Sequence, residues 1–169
     1  MERPKQNEYA PYYEIYIRHL VGDDIITILT NQLERTVNFF KSINEDKSNY
    51  AYAEGKWSIK EVLGHIIDNE RVFSYRALCI ARGEQQQLPG FEQDDYVKTA
   101  HFNKRALSSL VDDYKYTREA DIALFKSFDE ESIGRWGIAS NNKVTVRAIM
   151  FIIAGHEEHH INTLKDKYL

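Results

Sequence analysis

Cysteine is almost missing from this sequence, with one residue, Cys79, among 169. A lone thiol forms no intramolecular disulfide and no cysteine-rich zinc module, which excludes a secreted disulfide scaffold. Proline and glycine are scarce too, at 3 and 8 residues. Little therefore interrupts an apolar pattern that recurs every three or four residues, the spacing of helices. No run approaches the ~20 apolar residues that span a bilayer, and Met1-Glu2-Arg3-Pro4-Lys5-Gln6 lacks the apolar segment of a secretory leader. Excess positive charge is absent as well: 22 Lys and Arg against 26 Asp and Glu leave a net charge of −4. With a pI near 5.9 and no dense basic block, an electrostatic grip on nucleic acid or anionic lipid is not expected. The expectation is a soluble cytoplasmic protein acting on a small molecule. Against these shortages stand six histidines, the residue most often found on metals and the one poised near neutral pH.

The length suits one domain, 1–169, with a core large enough to need no staples. Residues 1–21 read as a tyrosine-rich lead-in around Pro11. Four long helices are predicted, about 23–42, 58–82, 103–128 and 145–167. The clearest start is Ser58-Ile59-Lys60-Glu61, a capping box with Ser58 as N-cap and Glu61 reaching back to it. Gly83 supplies a stop, while Asn103 and Thr145 are the expected caps of the third and fourth helices. The connection 84–101 is long for a compact helical domain, so a functional loop or a crossover is expected. Eighteen extended residues reach about 60 Å against about 38 Å for the second helix, enough to start the third helix parallel to it. The fold class is all-α, a four-helix bundle.

On a helical wheel Ile149, Ile152, Ile153, His156, His160, Thr163 and Leu164 fall within an arc of about 120°. Two imidazoles one turn apart thus lie in the stripe that faces the core, where an unpaired polar group costs on the order of 1 to 3 kcal/mol. A hydrogen-bonding partner would satisfy one such histidine. For two, a divalent cation is the economical answer, because imidazoles at i and i+4 reach one ion. His156-Glu157-Glu158-His159-His160 also matches the H-E-x-x-H string of zinc proteases, but no suitable third ligand follows it, so that reading is set aside. The third ligand is expected upstream, at His65, which shares a helix face with Glu61, Val62, Asn69, Val72 and Arg76. Cys79 lies roughly 21 Å further along that helix and reads as a buried apolar residue. His19 and His101 have no periodic context, and His159 sits at the rim. Asp68 is placed to bond an imidazole N–H, Arg76 to hold an anionic group, and Glu157, about 100° from His156, to point away.

Taken together, Lys56-Trp57-Ser58-Ile59-Lys60-Glu61-Val62-Leu63-Gly64-His65-Ile66-Ile67-Asp68, Tyr75-Arg76, Leu88-Pro89-Gly90-Phe91 and Gly155-His156-Glu157-Glu158-His159-His160 resemble the DinB/YfiT-like superfamily. The resemblance implies a metal-binding four-helix bundle, often a homodimer, with His65, His156 and His160 as ligands. It also implies an activity: relatives include bacillithiol and mycothiol S-transferases, a mycothiol-dependent isomerase and members named only as metal-dependent hydrolases. Three histidines leave a fourth position open, and a metal there lowers the pKa of a bound water or thiol. Three readings follow. The first is transfer of a low-molecular-weight thiol to an electrophile, with Cys79 not taking part. The second is hydrolysis by metal-activated water, and the third a non-catalytic module in which the ion ties two helices together. Zinc or nickel stands ahead of iron or manganese, and residue types alone do not choose among them.

Overall fold

The computed structural model describes residues 2–169; Met1 of the lead-in lies outside them. The lead-in winds through two short 3-10 turns, Gln6–Glu8 and Pro11–Tyr13, into one helical turn, α1 (Glu14–Ile17). The long helices are α2 (Ile25–Lys41), α3 (Ile59–Ala81), α5 (Leu107–Lys126) and α7 (Val146–Lys167), with shorter α4 (Gln93–Ala100) and α6 (Glu130–Gly134) between them. The two helix starts with local signals form as those signals direct. Ser58 accepts from the Glu61 amide and the Glu61 carboxylate accepts from the Ser58 amide, while Thr145 accepts from the Ala148 amide.

Two expectations need correcting. Asn103 does not cap the third helix: it lies in a 3-10 turn, Phe102–Lys104, and its Oδ1 accepts from the Ser58 hydroxyl at 2.6 Å. The helix begins four residues later, and the orphan amide of Leu107 is met by the Glu45 carboxylate at 2.9 Å, a cap borrowed from elsewhere in the chain. The stretch read as a loop around Trp136 and Asn141 is a β-hairpin, β1 (Trp136–Ala139) and β2 (Asn142–Thr145), in antiparallel register. Ser140 and Asn141 turn it at φ of 50° and 65°, the left-handed pair that a tight hairpin turn requires.

Cross-helix bonds give the directions. Pairs Glu70–Arg118 and Ser74–Asp121 rise together, so α3 and α5 run parallel. Gln32–Ala154 and Thr36–Glu157 make α2 and α7 parallel, whereas Trp57–Tyr168 and His65–His156 make α3 and α7 antiparallel. The bundle is therefore up, down, down, up, and the 84–101 connection is the crossover that returns the chain along α3. Its start is pinned to the hairpin: the Leu88 amide donates to Ile138 at 2.8 Å and the Ser140 amide to Leu88 at 3.1 Å.

Each long helix gives one end to each of two apolar clusters. One gathers Leu29, Ala77, Phe125 and Phe151, the other Phe40, Leu63, Leu110 and Leu164. Polar residues lie between them, including Gln32, Thr36, Glu70, Arg118 and Glu157, all buried. Among the described residues no helix is long and apolar enough to cross a membrane.

Candidate metal centre

His65 on α3 and His156 and His160 on α7 meet at this middle level. The Nε2 atoms of His65 and His156 lie 3.0 Å apart and those of His160 and His156 3.1 Å apart. All three ligand nitrogens fall within 4.8 Å of one another. Burial pushes His65 down to about 4 and His160 to about 3, and it holds His156 well below the ordinary range, so the rings are neutral at physiological pH. Three Nε2 atoms that face one another cannot all be satisfied, because in a neutral ring each is either a donor or an acceptor and an odd number leaves one without a partner. Tetrahedral ligands at 2.0 to 2.1 Å from an ion sit roughly 3.3 Å from each other, close to the spacing found. The donor set thus fits a divalent cation, and the fit rests on its neutrality, its convergence and its unspent lone pairs.

Aromatic rings flank the centre on two sides. Trp57 stands 4.7 Å from His65, and Tyr16 stands edge-on, 5.3 Å from both His156 and His159. Tyr16 gets that close because Gly155 has no Cβ; one added there would sit 2.5 Å from the Tyr16 carbonyl. The tyrosines of the lead-in are the feature sequence reasoning left without a role in the site, and the only signal was their density. Tyr12, Tyr13 and Tyr16 line a cavity of about 500 Å³, together with His156, Asn69 and Arg76.

The remaining predicted residues divide. Arg76 is buried and faces this cavity, where its Nη2 donates to the Pro89 carbonyl at 2.7 Å and to the Ser140 hydroxyl at 2.9 Å. Phe91 lines the same cavity, and Tyr96 packs on it at 5.0 Å. Asp68 does not orient an imidazole: it turns to Arg71 at 3.9 Å, away from the histidines. The reason is azimuth, since three residues on from His65 the chain faces α4 and α5. Glu157 points away from the centre, as its azimuth predicts, into a buried network. It accepts from Arg118 Nη2 at 2.5 Å, Tyr114 at 2.8 Å and Thr36 at 2.6 Å. Glu70 accepts from the same guanidinium at 2.5 and 2.8 Å. Cys79 is half-buried against the first apolar cluster rather than fully buried. His19 and His101 are exposed, His101 closing α4 with a φ of 52°. His159 is half-buried beside His160, with ring centres 5.3 Å apart, and contributes no nitrogen to the cluster.

The chain is thus a mostly helical bundle with three imidazoles converging between its second and last long helices, a donor set that could hold a metal ion. Residues 28–164 match the DinB superfamily, and the chain belongs to that family. A putative metal-dependent hydrolase of Oceanobacillus iheyensis is 26% identical over 141 residues, which are 83% of this chain and 79% of the relative. YfiT from Bacillus subtilis, described as a probable metal-dependent hydrolase with an unusual four-helix bundle topology, superposes with a TM-score of 0.73. Its identity is 12%, over 88% of this chain and 89% of its own. The mycothiol-dependent maleylpyruvate isomerase superposes with a TM-score of 0.68 at 9% identity, over 86% of this chain and 61% of its own.

Proposed function

We propose that the protein is a metal-dependent hydrolase of a small ester or amide, with His65, His156 and His160 as its metal ligands. The observation that carries this is the convergence of three neutral imidazole nitrogens within 4.8 Å, one of them on a ring that lines a cavity of about 500 Å³. A closed structural site surrounds its ion with four protein ligands, and no fourth His, Cys, Asp or Glu joins this cluster among the described residues. The name borne by the Oceanobacillus relative supports the hydrolytic reading. A divalent ion supplies Lewis acidity and a nucleophile that is reactive at neutral pH. The chain's own residues hold and shield that chemistry. Two ligands one turn apart on α7 and one on α3 give a rigid frame, because both helices are packed along their length. Trp57 and Tyr16 keep solvent off the rings, which strengthens every electrostatic interaction inside. The cavity walls bring the substrate to the His156 side.

The direct test loads the protein with zinc, nickel, iron(II) or manganese and follows nitrophenyl esters and anilides. Turnover at least tenfold above a His65→Ala control is expected with one of these metals; parity with the control refutes the reading. A second reading, transfer of a small thiol to an electrophile, is supported by the likeness to the mycothiol-dependent isomerase. Cys79 is absent from the cavity lining, so the thiol would come from outside. Consumption of an electrophile only when bacillithiol or mycothiol is present selects it. No turnover in either assay, with loss of the fold on chelation, selects the structural module.

A further inference from the structure

Arg76 is 2% exposed, yet among the described residues no carboxylate lies within ion-pair distance of it. That is unusual, because a buried charge is normally paired. The other fully enclosed guanidinium in the bundle, Arg118, has two carboxylates. The partners of Arg76 are all neutral: a carbonyl and a hydroxyl on Nη2, and the rings of Phe73 and Phe91 at 4.8 and 5.8 Å. Its Nε and Nη1 donate to nothing among the described residues. Two elements besides its own helix fix it, since Pro89 belongs to the crossover and Ser140 to the hairpin turn, which are themselves bonded together. Such a guanidinium is positioned rather than mobile.

The same cavity holds a second unspent group. Asn69 is 7% exposed, and its Oδ1 is buried without a donor. It lies one turn beyond His65 and two turns before Arg76, so the three form an ordered row along α3. From His65 to Arg76 the rise is roughly 16 Å. Glu92 and Asp94 also line the cavity, but both are exposed and neither pairs with Arg76.

We infer that Arg76 and Asn69 form a substrate-recognition subsite that takes a carboxylate-bearing molecule, its anion on Arg76 and an adjacent N–H or O–H on Asn69, with the body extending toward His156. An N-acylated amino acid has this pattern of groups. The inference rests on the proposed function for the reacting end of the substrate, but the anion-binding end uses no metal ligand.

Three near-isosteric probes separate the contributions in equilibrium titrations of the metal-free and the zinc-loaded protein. Hippurate carries the carboxylate and the amide N–H; hippuramide lacks the charge, and 3-benzoylpropionate replaces the N–H by CH₂. In both forms of the protein hippurate is expected to bind at least tenfold more tightly than hippuramide and about threefold more tightly than 3-benzoylpropionate. Arg76→Gln removes the first preference, Arg76→Lys retains most of it, and Asn69→Leu removes the second. Unfolding curves on each variant guard against a mere folding defect, and Ser140→Ala, which removes one anchor of the guanidinium, weakens hippurate a few-fold. The inference is overturned if hippurate shows no saturable binding, if acid and amide bind alike, or if Arg76→Gln keeps the tenfold difference. Loss of turnover with the discrimination intact refutes the proposed function alone; loss of discrimination with turnover intact refutes this subsite alone.

Discussion

Two polar clusters share the middle of this bundle and follow opposite rules. Glu70 is five residues beyond His65 on α3, and Glu157 directly follows His156 on α7, so the same two helices supply the acids of one cluster and the imidazoles of the other. The Glu70–Arg118–Glu157 cluster is charged and closed. Its guanidinium, 0% exposed at the side chain, meets two carboxylates, and Tyr114 and Thr36 complete Glu157. The histidine cluster is neutral and open, with nitrogens that face one another and no acid among their partners. The first holds the helices together from within. The second turns its ring nitrogens toward a common point, so burial alone does not separate a structural polar group from a functional one; the state of its donors and acceptors does.

The contrast is broken most severely by removing the cation from the closed cluster. Arg118→Met leaves two buried carboxylates without a counter-charge and is expected to cost about 3 to 5 kcal/mol in urea unfolding. A loss below about 1 kcal/mol would mean that this cluster, too, is dispensable to the fold. His156→Leu tests the other side. Metal affinity should drop at least a hundredfold, as measured by competition with a chromogenic chelator, while the metal-free chain keeps its stability to within about 1 kcal/mol.

The pH dependence of the metal-free protein sharpens the comparison further, because the two regions slope in opposite directions. Burial holds His65 near 4 and His160 near 3 against an ordinary value of 6.5. Below about 6.5 the unfolded chain takes up protons that the folded imidazoles refuse, so stability falls as the pH drops through that window. Asp121, beside Glu70 and bonded by Ser74, is pushed by its burial from 3.8 up to about 8. Here the folded state keeps a proton that the unfolded chain has lost, so stability falls as the pH rises from about 4 to about 8. Three imidazoles outweigh the raised carboxyl on the acid side, so the maximum is expected near neutral pH, where the imidazole limb gives way to the carboxyl limb. Asp121→Asn should flatten the limb above the maximum and His156→Leu should soften the limb below it; urea midpoints across the range decide both.

The smallest effect concerns the roof of the open cluster. Gly155→Ala drives a methyl group against the Tyr16 backbone and is expected to cost about 1 to 3 kcal/mol in thermal unfolding. Metal affinity should change less than threefold, since the three nitrogens stay on their helices.

Legibility followed the range of the interactions. The Ser58–Glu61 box and the Thr145 cap are contacts within four residues, and they stand where the residue types put them. Asn103 has the same chemistry but is claimed by Ser58 from across the bundle, and the amide it was expected to serve is met by Glu45. The hairpin escaped notice because Ser140 and Asn141 read as loop residues until the strands on either side pair. Nothing local marks Arg118 as a core residue, since a long cation on a helix is ordinarily solvated. The spacing of Asp68 from His65 suits an imidazole partner, but its carboxylate pairs with Arg71 on its own helix instead.

What a single helix can encode was readable from residue order: the predominantly helical class, the starts of α3 and α7, and the shared azimuth of His156 and His160. Those properties depend on a period of 3.6 residues and on caps that act over one turn. Packing of the helices against one another set the rest: His65 meets the other two, Glu157 is closed off by Arg118 from α5, and Arg76 has no counter-ion among the described residues. A helical wheel gives the direction in which a side chain leaves its own axis. What it meets there is set by the order and direction of four helices and by a crossover that runs α5 parallel to α3.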